Sequence, residues 1–254
     1  MQVIETPQQM MRWRRENPAQ KIGFVPTMGA LHLGHETLMQ KARAENDLCV
    51  LSIFVNPTQF NDPNDFAKYP KTWEADLEKA KQNGVDVVFA PSKDLMYPDD
   101  YRYKVVEMDF SKSLCGADRP GHFDGVLSVV LKLFNVVGPS NAYFGEKDYQ
   151  QFSLIKGMAR AFFLPLEVIP VPTVREADGL AMSSRNLRLS PEDRLRAPRI
   201  YQALTQEKTA LLAQARLEKD GFKVDYVTER DGRRFAAVRM GEVRLIDNVE
   251  IPTP

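Results

Sequence analysis

The sequence predicts an α/β fold: a parallel sheet flanked by helices over residues 1–186, then a small α+β domain over residues 187–254. Three observations carry that expectation. Short, nearly all-apolar runs such as "LCVLSIFV" (48–55) and "VDVVFAP" (85–91) have the texture of strands buried on both faces. Segments of helical periodicity alternate with them, which implies parallel strands joined by crossover helices. Past residue 186 the texture becomes charged and helical, then turns to short alternating runs joined by Asp231-Gly232 and Met240-Gly241. Asp-Gly is a hairpin signal.

Taken in order, "IGFVP" (22–26) reads as a strand ended by Pro26, with a glycine-rich turn following at once. From Gly34 a helix is expected, since Leu38, Met39 and Ala42 recur at three- and four-residue steps. The strand 48–55 gives way to a polar, Pro/Asp-rich segment and then to a helix over 72–83, closed by Gly84. After strand 85–91, an apolar helix is expected over 124–138, a strand over 142–145, a helix over 148–162 and a strand over 166–174. In the last part, Ser190 before Pro191 is a candidate helix cap.

Composition narrows the function classes. Apolar residues make up 43% of the 254, enough for a sizeable core. Lys plus Arg (34) balances Asp plus Glu (34), which argues against a nucleic-acid-binding protein while leaving room for a local basic pocket. Two cysteines do not make a disulfide framework, and Cys49 inside an apolar run reads as a small hydrophobe. With no signal pattern and no apolar run approaching 18 residues, a soluble cytoplasmic protein without a membrane partner is expected.

In parallel sheets ligands bind outside the carboxyl ends of the strands, so the loops after strands are the informative ones. "PTMGALHLGHETL" (26–38) places His32 and His35 at a strand-to-helix junction. A zinc-protease reading needs His-Glu-x-x-His, but Met39 occupies the second position, and no Cys/His ligand set occurs elsewhere. A phosphate reading fits better. A helix N-terminus favours anions, Gly29 and Gly34 allow close backbone approach, and two imidazoles can donate to phosphate oxygens. The alternative is that the pair merely caps the helix.

Four further loops follow. Asn56 and Gln59 come directly after a strand, where amides can orient a polar substrate; turn chemistry is the alternative. "YFGEKDYQQ" offers Gly145, Lys147 for phosphates, Asp148 for a ribose hydroxyl, and Gln150 and Gln151. "GLAMSSRN" offers Ser183, Ser184 and Arg185 as phosphate donors. Arg119 and His122 precede the 124–138 helix and could reach phosphates, act as a lid, or help cap that helix. A phosphate-handling chain with a His-x-Gly-His turn and no P-loop points to nucleotidyl transfer.

With "VPTMGALHLGH", "SIFVNPTQF", "RPGHFDGV", "YFGEKDYQQ" and "VPTVREADGLAMSSRN" in this order, the chain resembles the pantothenate synthetase (pantoate–β-alanine ligase) family across most of residues 22–186. That resemblance implies a Rossmann-like N-terminal domain with the active site, a mobile C-terminal cover, and a homodimer through the N-terminal domain. It implies a reaction dependent on ATP and Mg2+, in which pantoate is adenylated and β-alanine then displaces AMP. Under it, His32, His35, Lys147, Ser183, Ser184 and Arg185 act on the phosphates. Pro26, Met28, Gly29, Gly34, Gly145, Asp148, Val174 and Met182 hold the nucleotide. Gln59 and Gln151, with Asn56, Arg119 and His122, serve pantoate and β-alanine, and no metal ligand of the chain is implied. Two departures stand out: Leu33 occupies a position expected to be polar or acidic, and residues 187–254 are fewer than the family's usual C-terminal domain. The rival expectations are another nucleotidylyltransferase, or a silent nucleotide-binding or scaffold protein.

Overall fold

The computed structural model describes residues 1–251, with Pro63 and Asp65 as backbone only; the last three residues of the expected C-terminal domain lie outside that range. The chain forms two compact units, one of Met1–Glu146 with Gln150–Val171, the other of Lys147–Tyr149 with Pro172 onward. Residues 172–186, assigned with the first domain from sequence, thus group with the second unit.

The first unit is built on six parallel strands: β1 (Gln2–Ile4), β2 (Ile22–Thr27), β3 (Leu48–Ile53), β4 (Val87–Phe89), β5 (Asn141–Gly145) and β6 (Glu167–Val171). Their order is β1-β4-β3-β2-β5-β6. From β2 the chain winds outward through β3 to β4, then returns to the opposite side of β2 for β5. Loops leaving β2 and β5 therefore part company at the middle of the sheet, the place where such folds open a crevice for ligands.

Five main helices accompany these strands: α1 (Pro7–Glu16), α2 (Leu33–Glu45), α3 (Trp73–Gln82), α4 (His122–Val137) and α5 (Tyr149–Ala161). Met39 and Ala42 of α2 are fully buried in one cluster with Val25, Cys49, Leu51 and Tyr143. Met39, Val25 and Leu51 each contribute about 1.5–3 kcal/mol when fully buried. α4 stops where Gly138 takes a left-handed φ of 59° and its N–H donates to Phe134 O.

Several boundaries differ from the sequence expectation: β2 runs on through Pro26 to Thr27, and β3 stops at Ile53 rather than 55. β6 ends at Val171, not 174, because its neighbour β5 ends at Gly145, the residue paired with Val171. β4 contracts to three residues. β1 and α1 were not expected at all. A three-residue edge strand has too little periodicity to read, and α1 buries only Pro7 and Met10.

In the second unit the charged helical stretch is broken into α6 (Pro191–Arg196), α7 (Arg199–Gln206) and α8 (Ala210–Lys219). Ser190 caps α6, accepting from Asp193 N at 3.1 Å. The antiparallel sheet β7 (Lys223–Arg230), β8 (Arg233–Met240), β9 (Val243–Glu250) follows in sequence order. Asp231 and Gly232 both have positive φ (50° and 73°), the geometry of a tight two-residue hairpin. Leu204, Leu217, Phe222, Val238 and Leu245 form the core beneath the sheet. Among the described residues, no helix is long and apolar enough to cross a membrane.

Candidate active site

The turn after β2 is set by short-range bonds. Thr27 Oγ1 donates to Ser52 O on the neighbouring strand (2.7 Å) and accepts from Gly29 N (3.2 Å). Gly29 and Ala30 then take left-handed φ of 81° and 51°, which brings the chain to His32 at the start of α2. His32 is the helix N-cap: its Nδ1 accepts from Gly34 N at 3.2 Å. His35 reciprocates, its Nδ1 accepting from His32 N at 3.3 Å, and the ring centroids lie 4.1 Å apart. This is a capping box built from two imidazoles.

The box assigns the tautomers. A neutral ring whose Nδ1 accepts carries its proton on Nε2, so both histidines hold Nε2–H at the helix start. Capping uses Nδ1 and phosphate donation needs Nε2–H, so the two roles read as alternatives in the sequence are compatible. Gly34 suits the cap: a Cβ there would lie 3.0 Å from His32 Cε1, so the ring would have to shift to make room. Leu33 is the first helical residue, half exposed, and takes no part in the box.

Around the loop after β3, Gln59 is braced from several sides. Asn56 is 1% exposed; its amide donates to Gln59 Oε1 (3.1 Å) and Gly125 O (3.2 Å). Its Oδ1 accepts from Tyr97 OH at 2.7 Å, and burial pushes the Tyr97 hydroxyl up to about 12, keeping it a donor. Arg119 Nη2 donates to Gln59 O (3.1 Å) and Nη1 lies 3.1 Å from His122 Nε2. With that nitrogen accepting, His122 carries its proton on Nδ1 and donates it to Gln59 O at 2.8 Å. Gln59 Nε2 in turn reaches Met28 Sδ at 3.1 Å, joining the loops after β2 and β3. Asn56, Arg119 and His122 thus converge on Gln59, and His122 and Gln59 line a cavity of about 330 Å³ with Thr58, Tyr101, Lys104 and Asp124.

Gly145 ends β5 facing open space. Gln150 is consumed structurally, donating to Phe110 O and Ser113 O, while Gln151 beside it is half-buried. Pro26 lies in β2, its partner in register being Ser52.

In the second unit Lys147 is mostly buried, its Nζ 3.6 Å from the half-exposed Asp148 carboxylate. Asn248 Nδ2 donates to Lys147 O at 3.0 Å, and the Arg233 guanidinium lies 4.0 Å over the Tyr149 ring. Val174 O accepts from Met182 N (2.9 Å) across a hairpin closed by the Arg175–Ala181 bridge. Arg175 anchors that hairpin to β9 through both Asp247 oxygens, at 2.6 and 2.9 Å. Ser183 then caps a 3-10 helix (Ser184–Arg188), its Oγ accepting from Arg185 N at 3.2 Å; Arg185 itself is exposed.

Each unit therefore collects its own donors: two imidazoles and a braced glutamine in the first, and a lysine, two hydroxyls and a guanidinium in the second. Asp76, Tyr97, Arg233 and Asn248 escaped the sequence reading because they sit on helices, an ordered loop or a distant strand and reach the site loops through tertiary contacts.

A family model described as Pantoate-beta-alanine ligase matches residues 2–250. The chain is 62% identical over 250 residues to the pantothenate synthetase of Bdellovibrio bacteriovorus, covering 98% of this chain and 99% of that protein. The solved pantothenate synthetase of Thermus thermophilus superposes with a TM-score of 0.90 at 41% identity, covering 99% of this chain and 100% of that one. The Francisella tularensis pantoate-beta-alanine ligase, solved in complex with beta-gamma ATP and beta-alanine, gives a TM-score of 0.92 at 42% identity, covering 98% and 97%. The compact C-terminal unit is thus of a length these relatives share. Matched along nearly its whole length by sequence and by fold, the chain belongs to the pantoate–β-alanine ligase family.

Proposed function

We propose that this chain condenses pantoate with β-alanine to pantothenate, dependent on ATP, through a pantoyl-adenylate intermediate. In the first step a pantoate carboxylate oxygen bonds to the α-phosphorus of ATP while the bond to the bridging oxygen breaks, releasing pyrophosphate. In the second, the β-alanine amine bonds to the acyl carbon, the acyl–phosphate oxygen leaves with AMP, and the amine proton passes to solvent. The observation that carries the reading is the imidazole capping box, which fixes two Nε2–H donors where a helix start already favours anions.

In this scheme His32 and His35 stabilise charge on the phosphates by donation rather than by proton transfer, since pyrophosphate leaves readily. Lys147, Ser183, Ser184 and Arg185 supply further donors to the phosphates. Backbone at Pro26, Met28 and Val174, with Gly29, Gly34, Gly145, Asp148 and Met182, holds the nucleotide. Gln59 and Gln151 bind pantoate; Asn56, Arg119 and His122 serve the same subsite by holding Gln59.

The family also implies Mg2+. Among the described residues no group of three His, Cys, Asp or Glu side chains could cage a metal ion. Mg2+ is commonly carried by ATP phosphates and water, and Asp148, whose carboxylate lies 3.6 Å from Lys147 Nζ, would help hold it beside the phosphates. Bound there, it would neutralise phosphate charge. A homodimer through the first unit belongs to the same proposal and is checked by sedimentation equilibrium.

The deciding experiment is pantoate-dependent exchange of labelled pyrophosphate into ATP, followed by AMP release on adding β-alanine. Exchange without pantoate, or none at all, would refute the scheme.

A further inference from the structure

We propose that Asp76 is a positioning residue of the active site: its carboxylate sets the turn that presents His32 and His35. This rests on the function proposed above for those histidines. Asp76 lies on α3, is 2% exposed, and bonds main-chain groups just ahead of the histidines. Its Oδ2 accepts from Ala30 N at 2.9 Å and its Oδ1 from Leu31 N at 2.8 Å. Thr72 Oγ1 adds a third donor to Oδ2 at 3.0 Å. One turn along α3, Lys79 Nζ donates to Leu31 O at 2.5 Å and lies 3.7 Å from Glu36 of α2. Leu31, the residue before His32, is therefore held by its N–H and its C=O from a single helix face.

The chemistry favours a carboxylate here. Ala30 has a left-handed φ of 51°, a conformation that costs a non-glycine residue about 1–2 kcal/mol. Two successive amides pointing the same way need two acceptors at one place, and a carboxylate supplies both. A buried carboxylate is costly unless it is hydrogen-bonded, and this one has three donors. Gly29 completes the fit: a Cβ there would come within 3.0 Å of Asp76 Oδ2. An amide in place of Asp76 keeps the shape but offers one acceptor, turning its NH2 toward an N–H.

The test is Asp76→Asn, read by pantoate-dependent ATP–pyrophosphate exchange. Displacing phosphate donors by a fraction of an ångström should lower exchange turnover roughly tenfold or more. KM for pantoate, whose glutamines lie on other elements, should stay within about twofold. In a double variant with His32→Asn, the second substitution should add little, because both act through one group. Nitrogen-15 shifts of His32 and His35 should report the Nε2–H tautomer in the parent and a mixture in Asp76→Asn. Wild-type turnover in Asp76→Asn, or losses that multiply fully with those of His32→Asn, would overturn the proposal. Should Asp76→Asn not fold, Lys79→Met decides by the same readouts, since that side chain is 36% exposed. Absence of exchange in the parent protein would instead refute the function, a distinguishable failure.

Discussion

The side-chain amide of Asn248, on β9, donates to the main-chain carbonyl of Lys147, a residue 101 positions earlier, at 3.0 Å. Asn248 is itself 3% exposed, accepts from Arg233, and follows the Asp247 that grips Arg175. The C-terminal sheet thus holds both Lys147 and the hairpin that leads to Ser183. Lys147→Ala should abolish pantoate-dependent exchange with little change in Tm, because the bond from Asn248 is to the main-chain carbonyl, which the substitution keeps. Asn248→Ala should lower exchange while retaining Lys147, and also destabilise the fold by about 1–3 kcal/mol through the buried groups left unpaired. Exchange kinetics and urea denaturation of the two variants check both statements.

Gly125 on α4 packs against the loop carrying Gln59. A Cβ there would sit 2.4 Å from Thr58 O and 2.8 Å from Gln59 N, both backbone atoms that cannot swing aside. Gly125→Ala is expected to cost about 1–3 kcal/mol through overpacking. It should also raise KM for pantoate, since it displaces the braced glutamine. Steady-state kinetics beside thermal unfolding measure the two effects separately.

Burial pushes the Cys49 thiol up to about 12, so at pH 8 the folded protein presents it as an unreactive neutral thiol. Iodoacetamide should leave Cys49 unmodified in the native state and alkylate it in urea, as peptide mass spectrometry would show.

Asp225 is pushed up by burial, but hydrogen bonds from Arg244 and Arg239 outweigh this and hold its carboxyl below the ordinary value. A depressed folded-state pKa means stability present above the unfolded value, near pH 4, and lost as pH falls through the folded one. Urea denaturation should find Asp225→Asn less stable than the parent at pH 7, with the gap closing in acid.

The sequence made the sheet legible because β2, β3 and β5 are short apolar runs, and the loops after them hold the unusual residues. It also placed His32 and Gln59 in those loops. It could not show that Asn56, Arg119 and His122 converge on Gln59, because only the fold brings positions 56, 59 and 119–125 together. Asp76 and Asn248 looked like ordinary polar positions for the same reason. The histidine pair was ambiguous between cap and donor because no sequence pattern states which ring nitrogen is engaged.

That shared arrangement ties heat sensitivity to turnover. One imidazole both begins α2 and carries its proton on the far nitrogen, so fraying of a single helical turn removes the cap and the donor together. Activity should therefore fade on warming, reversibly, several degrees before the cooperative loss of the fold.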